Sequence, residues 1–178
     1  MRKLLASVVV ATLMLLAVGS AQTPPPMPKP GPEHKKLDYF AGDWTLEGDM
    51  KPGPFGPGGK ISFTEHNEWM PGGFFLVTHS DGNTPMGKAT GLAVMGYNSD
   101  EKAYTYQEFN SMGENTSAKG IANGGNWSWN NEQRMGDKVM KGRYTVTQLS
   151  PTSYNFKFEM APEGGDFATV MEGKATKK

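Results

Sequence analysis

The chain contains no cysteine, which removes disulfide staples, thiolate metal centres and thiol nucleophiles together. It also lacks a Gly-x-Ser-x-Gly elbow, a His-Glu-x-x-His pair and a Gly-rich loop joining strand to helix. Hydrolase and nucleotide chemistry therefore have no support in the sequence. The stretch from Gly53 to Gly59 is rich in Gly and Pro but has neither the Lys nor the Ser/Thr of a phosphate cradle. Excess charge of one sign is missing too: 18 Lys and Arg balance 18 Asp and Glu. Nothing in that balance attracts nucleic acid or an anionic membrane.

Long apolar runs are confined to the start of the chain. Arg2 and Lys3 precede an uncharged run from Leu4 to Val18, followed by Gly19-Ser20-Ala21. That pattern reads as a cleavable signal peptide. The run falls short of the roughly 20 residues a membrane-crossing helix needs, so no membrane span is expected. Cleavage near Ala21 leaves 157 residues (178 − 21) with 16 basic groups against 18 acidic ones, about the size of one domain. The expected product is exported, to the periplasm or the medium, with no Cys near the cleavage site to carry a lipid. The Asn-x-Ser patterns at Asn115 and Asn126 are read as chance.

Three segments follow: a signal peptide over 1–21, a Pro-rich linker over 22–33 and a folded domain over 34–178. Thr23 to Pro32 reads TPPPMPKPGP, which favours extended polyproline II and offers too little apolar surface to fold. It serves as a tether, or alternatively as a Pro-rich recognition ligand through Pro25-x-x-Pro28.

From Glu33 to Ala41, Leu37, Phe40 and Ala41 recur at helical spacing, and Gly42 stands where a helix stop is favoured. Beyond it, strands are expected near 44–50, 60–70, 74–80, 88–97, 103–110, 114–121, 125–132, 138–149, 153–161 and 167–176. Gly, Pro, Asn and Asp punctuate the gaps, among them Pro71-Gly72-Gly73, Asp81-Gly82-Asn83, Asn123-Gly124-Gly125 and Gly136-Asp137. The gaps are mostly too short for crossover helices, so neighbours pair antiparallel and the sheet must close or stack to hide its apolar face. The fold class is all-β: a closed antiparallel barrel of about ten strands with a short N-terminal helix.

Alternation assigns an aromatic interior. Tyr154, Phe156, Phe158 and Met160 share one face, as do Ile61, Phe63 and Trp69, and Trp127 and Trp129. Glu65 and Asn67 have the parity of Phe63 and Trp69, so an unbroken strand turns both into an apolar interior, while a bulge would turn them out. An inward carboxylate orients a ligand or acts as a general base for an isomerase or cyclase. The ligand-binding candidates are Phe63, Glu65, Asn67, Trp69, Tyr104, Tyr106, Trp127, Trp129, Phe156 and Phe158, and the expected partner is a small apolar or amphipathic molecule.

Tyr104, Tyr106, Trp127 and Trp129, flanked by Asn126, Asn130 and Asn131, form either sugar-stacking platforms or ordinary barrel lining. His66 and Glu68 fall on the opposite face, where two side chains make a poor metal site. His79 ends a strand rich in Phe and Val and reaches either a pocket mouth or a structural position. Of the 12 methionines, the ten beyond Met1 and Met14 are scattered, which suits adaptable packing better than copper binding.

The helix His34-Lys-Lys-Leu-Asp-Tyr-Phe, the opening Gly42-Asp43-Trp44, the turn Met70-Pro71-Gly72-Gly73-Phe74-Phe75-Leu76, and Gly91 followed by Gly96-Tyr97-Asn98 resemble domain-of-unknown-function family 1579, over about residues 34 to 176. The resemblance implies a calycin-like barrel, related in shape to lipocalins, fatty-acid-binding proteins and nitrobindins, with no settled activity. Nitrobindin-type relatives hold haem through a histidine late in the chain. Here the last histidine is His79, so no cofactor is expected. By the lipocalin likeness, Trp44 plugs one end of the barrel, and Arg143 is its stacking partner or else a surface group.

Overall fold

The computed structural model describes residues 27–54 and 56–178. The expected signal peptide and most of the Pro-rich segment lie outside them. A short helix, α1 (Pro32–Lys36), runs into a single 3-10 turn over Leu37–Tyr39. Pro32 occupies the first helical position, where its missing N–H is no loss, and the Gly31 N–H donates to His34 Nδ1 at 3.1 Å. The helix thus begins one residue before the expected Glu33, and its last expected residues tighten into the 3-10 turn. Gly42, with φ +97°, makes the exit that a side chain would strain.

Ten strands follow: β1 (Gly42–Met50), β2 (Gly59–Trp69), β3 (Phe75–Thr84), β4 (Gly87–Asn98), β5 (Ala103–Asn110), β6 (Asn115–Asn123), β7 (Asn126–Met135), β8 (Lys138–Ser150), β9 (Ser153–Pro162) and β10 (Ala168–Lys177). Each pairs antiparallel with the next, and β1 pairs with β10, closing the barrel. Gly48 and Gly173 face each other across that seam. A side chain on Gly173 would strike the Glu47 carbonyl and come within 2.6 Å of the Phe156 ring, so the closure depends on bare backbone there.

One expected turn is misplaced. Asp81-Gly82-Asn83 lies within β3, and the chain turns instead after Thr84. Gly82 is opposite Phe63, whose ring approaches within 2.6 Å of where a Cβ would stand, so this glycine makes room for an inward aromatic and turns nothing. β7 likewise continues three residues past the expected 132, to Met135.

The end of the barrel facing α1 is packed solid. Leu37, Phe40, Trp44, Tyr104, Trp127 and Tyr154 are all buried there, in aromatic contacts such as Phe40 on Trp127 at 5.0 Å and Trp44 on Tyr154 at 4.9 Å. Burying each such side chain is worth about 1.5–3 kcal/mol, which holds a helix far too short to persist alone. Polar ties fix its position: Tyr39 donates to the Ser150 and Ser153 carbonyls, Trp69 Nε1 to Asp38 at 2.8 Å, and the Tyr104 hydroxyl to Glu33 at 2.7 Å.

Trp44 fills this end of the barrel: it is 1 % exposed and its Nε1 donates to the Phe40 carbonyl at 2.7 Å. Its cationic neighbour is Lys177, with Nζ 5.5 Å from the ring. Arg143 is not that neighbour. Its guanidinium points outward, donates twice to Glu159 Oε2, and lies 4.1 Å over the Phe167 ring.

Candidate functional site

Beneath the plug the interior turns polar. The pairing of β1, β2 and β3 runs unbroken through Trp44, Glu65 and Ser80, so no bulge rotates β2, and both Glu65 and Asn67 face inward. Asn67 and Thr78, opposite each other and both buried, are joined by a hydrogen bond from the Thr78 hydroxyl to Asn67 Oδ1. From β5, Tyr106 donates to Glu108 Oε2 at 2.7 Å. Tyr144 of β8 completes the group, and it is close enough to Glu65 and Glu108 to feel both charges.

Ser80 and Gly91 connect the two carboxylates. Ser80 pairs with Glu65 on one side and Gly91 on the other. A Cβ on Gly91 would stand 2.7 Å from Ser80 Oγ and 3.7 Å from Glu108 Oε1. A glycine at this point leaves the floor between Glu65 and Glu108 open.

Glu65, Tyr106 and Tyr144 are surrounded by the barrel wall, yet each retains intermediate accessible surface, as do Glu108, Phe63 and Phe158 on the same inward face. Both facts hold when these groups border a recess inside the barrel. Desolvation raises the Glu65 carboxyl to about 7 from its ordinary 4.5, Asn67 pulls it back down and the Glu108 charge pushes it further up. Burial likewise raises the phenols of Tyr106, Tyr144 and Tyr154. Near neutral pH the Glu65 carboxyl is poised between its two protonation states.

The remaining candidates divide. Phe156 is buried and Phe158 half-buried, both on the inward face of β9. Tyr104 and Trp127 are consumed by the plug, and Trp127 and Trp129 stack on each other at 5.5 Å and 10°. No flat sugar platform remains on them, and Asn126 and Asn130 lie exposed, on the parity opposite to the tryptophans. Trp129 is 5 % exposed and its Nε1 has no hydrogen-bond partner, a deficit of about 1–3 kcal/mol when nothing answers it.

The histidines stand apart from the recess. His66 and His79 are opposite each other on the outer face. His66 Nδ1 is 2.7 Å from Asp43, which raises the imidazole's pKa, while Glu68 is 3.9 Å from Nε2. Among the described residues no group of three or more His, Asp or Glu is arranged to hold a metal ion. His34 is buried in the plug, edge-on to Phe74 and Tyr97.

Two depressions of about 400 and 200 Å3 mark the outer wall, one around Thr145, Asn155, Lys157 and Glu172, the other around Asn131, Lys141 and Phe167. Both are open to solvent and neither gathers the enclosed polar groups that distinguish the recess. Sequence reasoning missed Thr78, Ser80, Glu108 and Tyr144. Glu108 was within reach of it, since it shares the parity of Tyr104 and Tyr106. Ser80 and Thr78 carry no pattern of their own until β2 is laid beside β3.

These features define a closed antiparallel barrel of ten strands with an aromatic plug at one end and carboxylates and phenols facing its interior. The chain belongs to the family described as Protein of unknown function (DUF1579), whose model matches residues 29–177. Among solved structures, the crystal structure of Rv2717c from M. tuberculosis is similar, with a TM-score of 0.56 and 10% sequence identity over 83% of this chain and 98% of that one. Identity that low establishes likeness of fold alone. No curated protein matches the sequence significantly.

Proposed function

We propose that this protein is an exported binding barrel that takes a small amphipathic molecule, with the apolar part against Phe63, Phe156 and Phe158 and the polar end among Glu65, Tyr106, Glu108 and Tyr144. One observation carries the reading: polar groups enclosed by the barrel still have accessible surface in front of them. A barrel built only as a scaffold gains nothing from a desolvated carboxylate and would do better with an apolar residue there. The signal-peptide pattern at Arg2 to Ala21 supports export.

Native mass spectrometry of the protein purified from its own host tests this. A bound small molecule is expected. Recovery of bare polypeptide, together with no thermal shift from a broad panel of hydrophobic metabolites, refutes it. No haem is part of this reading, because two of the three histidines face solvent and the third is packed in the plug. A Soret band in the purified protein would overturn that part.

A second reading has the recess catalyse an isomerisation or cyclisation with Glu65 as general base. The raised carboxyl, at about 7, favours it, since a base poised near the working pH transfers protons most efficiently. Ligand turnover that is unchanged in Glu65→Gln would exclude this assignment.

A further inference from the structure

We infer that the molecule bound in the recess is an organic cation, a hydrophobe with a protonated-amine head; this rests on the reading that the recess binds a ligand at all. The charge of the inward wall argues for it. Two carboxylates, Glu65 and Glu108, converge on Ser80 and Gly91. No Lys, Arg or His occupies an inward position along the middle of any strand. The two lysines that share the inward parity stand at the ends: Lys138 is exposed at the open rim, and Lys177 lies against Trp44 at the plugged end.

An anionic ligand would therefore meet no cation in the recess and would add a third negative charge to it. A protonated amine instead supplies the counter-charge that the carboxylates lack inside the barrel. The remaining wall suits the same class: Phe63, Tyr106, Tyr144 and Phe158 present aromatic surface, and ring faces attract cations.

Three probes of equal chain length separate the outcomes: n-octylammonium, octanol and octanoate, measured by titration calorimetry at pH 8 on the full chain, Glu65→Gln and Glu108→Gln. The expected result is octylammonium binding at least about tenfold tighter than the other two, with the preference lost in either variant while octanol still binds. Retained octanol binding shows that the variants are folded. If octanol or octanoate binds the native protein as tightly as octylammonium, or if the preference survives both substitutions, the cation inference is overturned and the binding barrel stands. If none of the three binds, the binding reading itself fails.

Discussion

Replacing Glu65 by Gln should change how stability depends on pH more than it changes stability at any single pH. In the folded protein this carboxyl keeps its proton up to about 7, whereas its ordinary value is 4.5. Between those two values the folded state binds more protons than the unfolded chain, so raising the pH removes stability. Nothing is lost below 4.5, and the full loss is reached above 7. A difference of about 2.5 pH units, at about 1.4 kcal/mol each, sets a ceiling of about 3.5 kcal/mol. Solvent reaching the recess lowers the effective value to about 1–3 kcal/mol.

Gln has the same shape and no proton to lose. Urea unfolding of both proteins from pH 4.5 to 8.5 measures the effect, because titrations elsewhere cancel in the difference. The variant should gain on the native protein by about 1–3 kcal/mol across that range, most steeply midway between the two values, at about pH 5 to 6.5. A difference that stays flat with pH would show that Glu65 is solvated like a surface carboxylate, and the enclosed recess would go with it.

Other expectations follow from the packing. Phe40→Ala should destabilise the barrel by about 3–5 kcal/mol in urea unfolding, since Phe40 is 6 % exposed and touches Trp127, Trp129 and Tyr154. Gly173→Ala should lower the melting temperature well below that of Gly53→Ala, because a methyl at the first meets the Glu47 carbonyl and at the second meets nothing within 4 Å; equal melting temperatures would contradict the seam. His66 should titrate above its ordinary 6.5 by NMR and fall back in Asp43→Asn, the Asp43 hydrogen bond being the main cause of its rise. Its contribution to stability is therefore present below 6.5 and lost as pH climbs through the raised value.

Legibility in the sequence varied with how local the determining physics was. Strand positions were readable because side chains alternate and turns need particular residues, and Glu65 and Asn67 share the parity of Phe63 and Trp69, but only the unbroken pairing of β2 with its neighbours excludes the bulge that would turn them out. Gly82 misled for a related reason: glycine serves both as turn residue and as room for a neighbouring ring, and only the partner strand shows which. Arg143 stayed open between the plug and the surface because its partners, Glu159 and Phe167, lie on the next strand and in the loop after it, beyond any local pattern.

The sequence by itself determined that the chain forms a ring of antiparallel strands and that the interior is aromatic, because both depend on a two-residue period and on short connections; that Glu65 enters the interior was decided by the unbroken register of β2. Only the tertiary structure decided that Glu108, Tyr144 and Ser80 meet Glu65, and that Trp127 and Tyr104 belong to a plug. Those groupings depend on register between strands distant in the chain, and register is set by closure of the whole barrel.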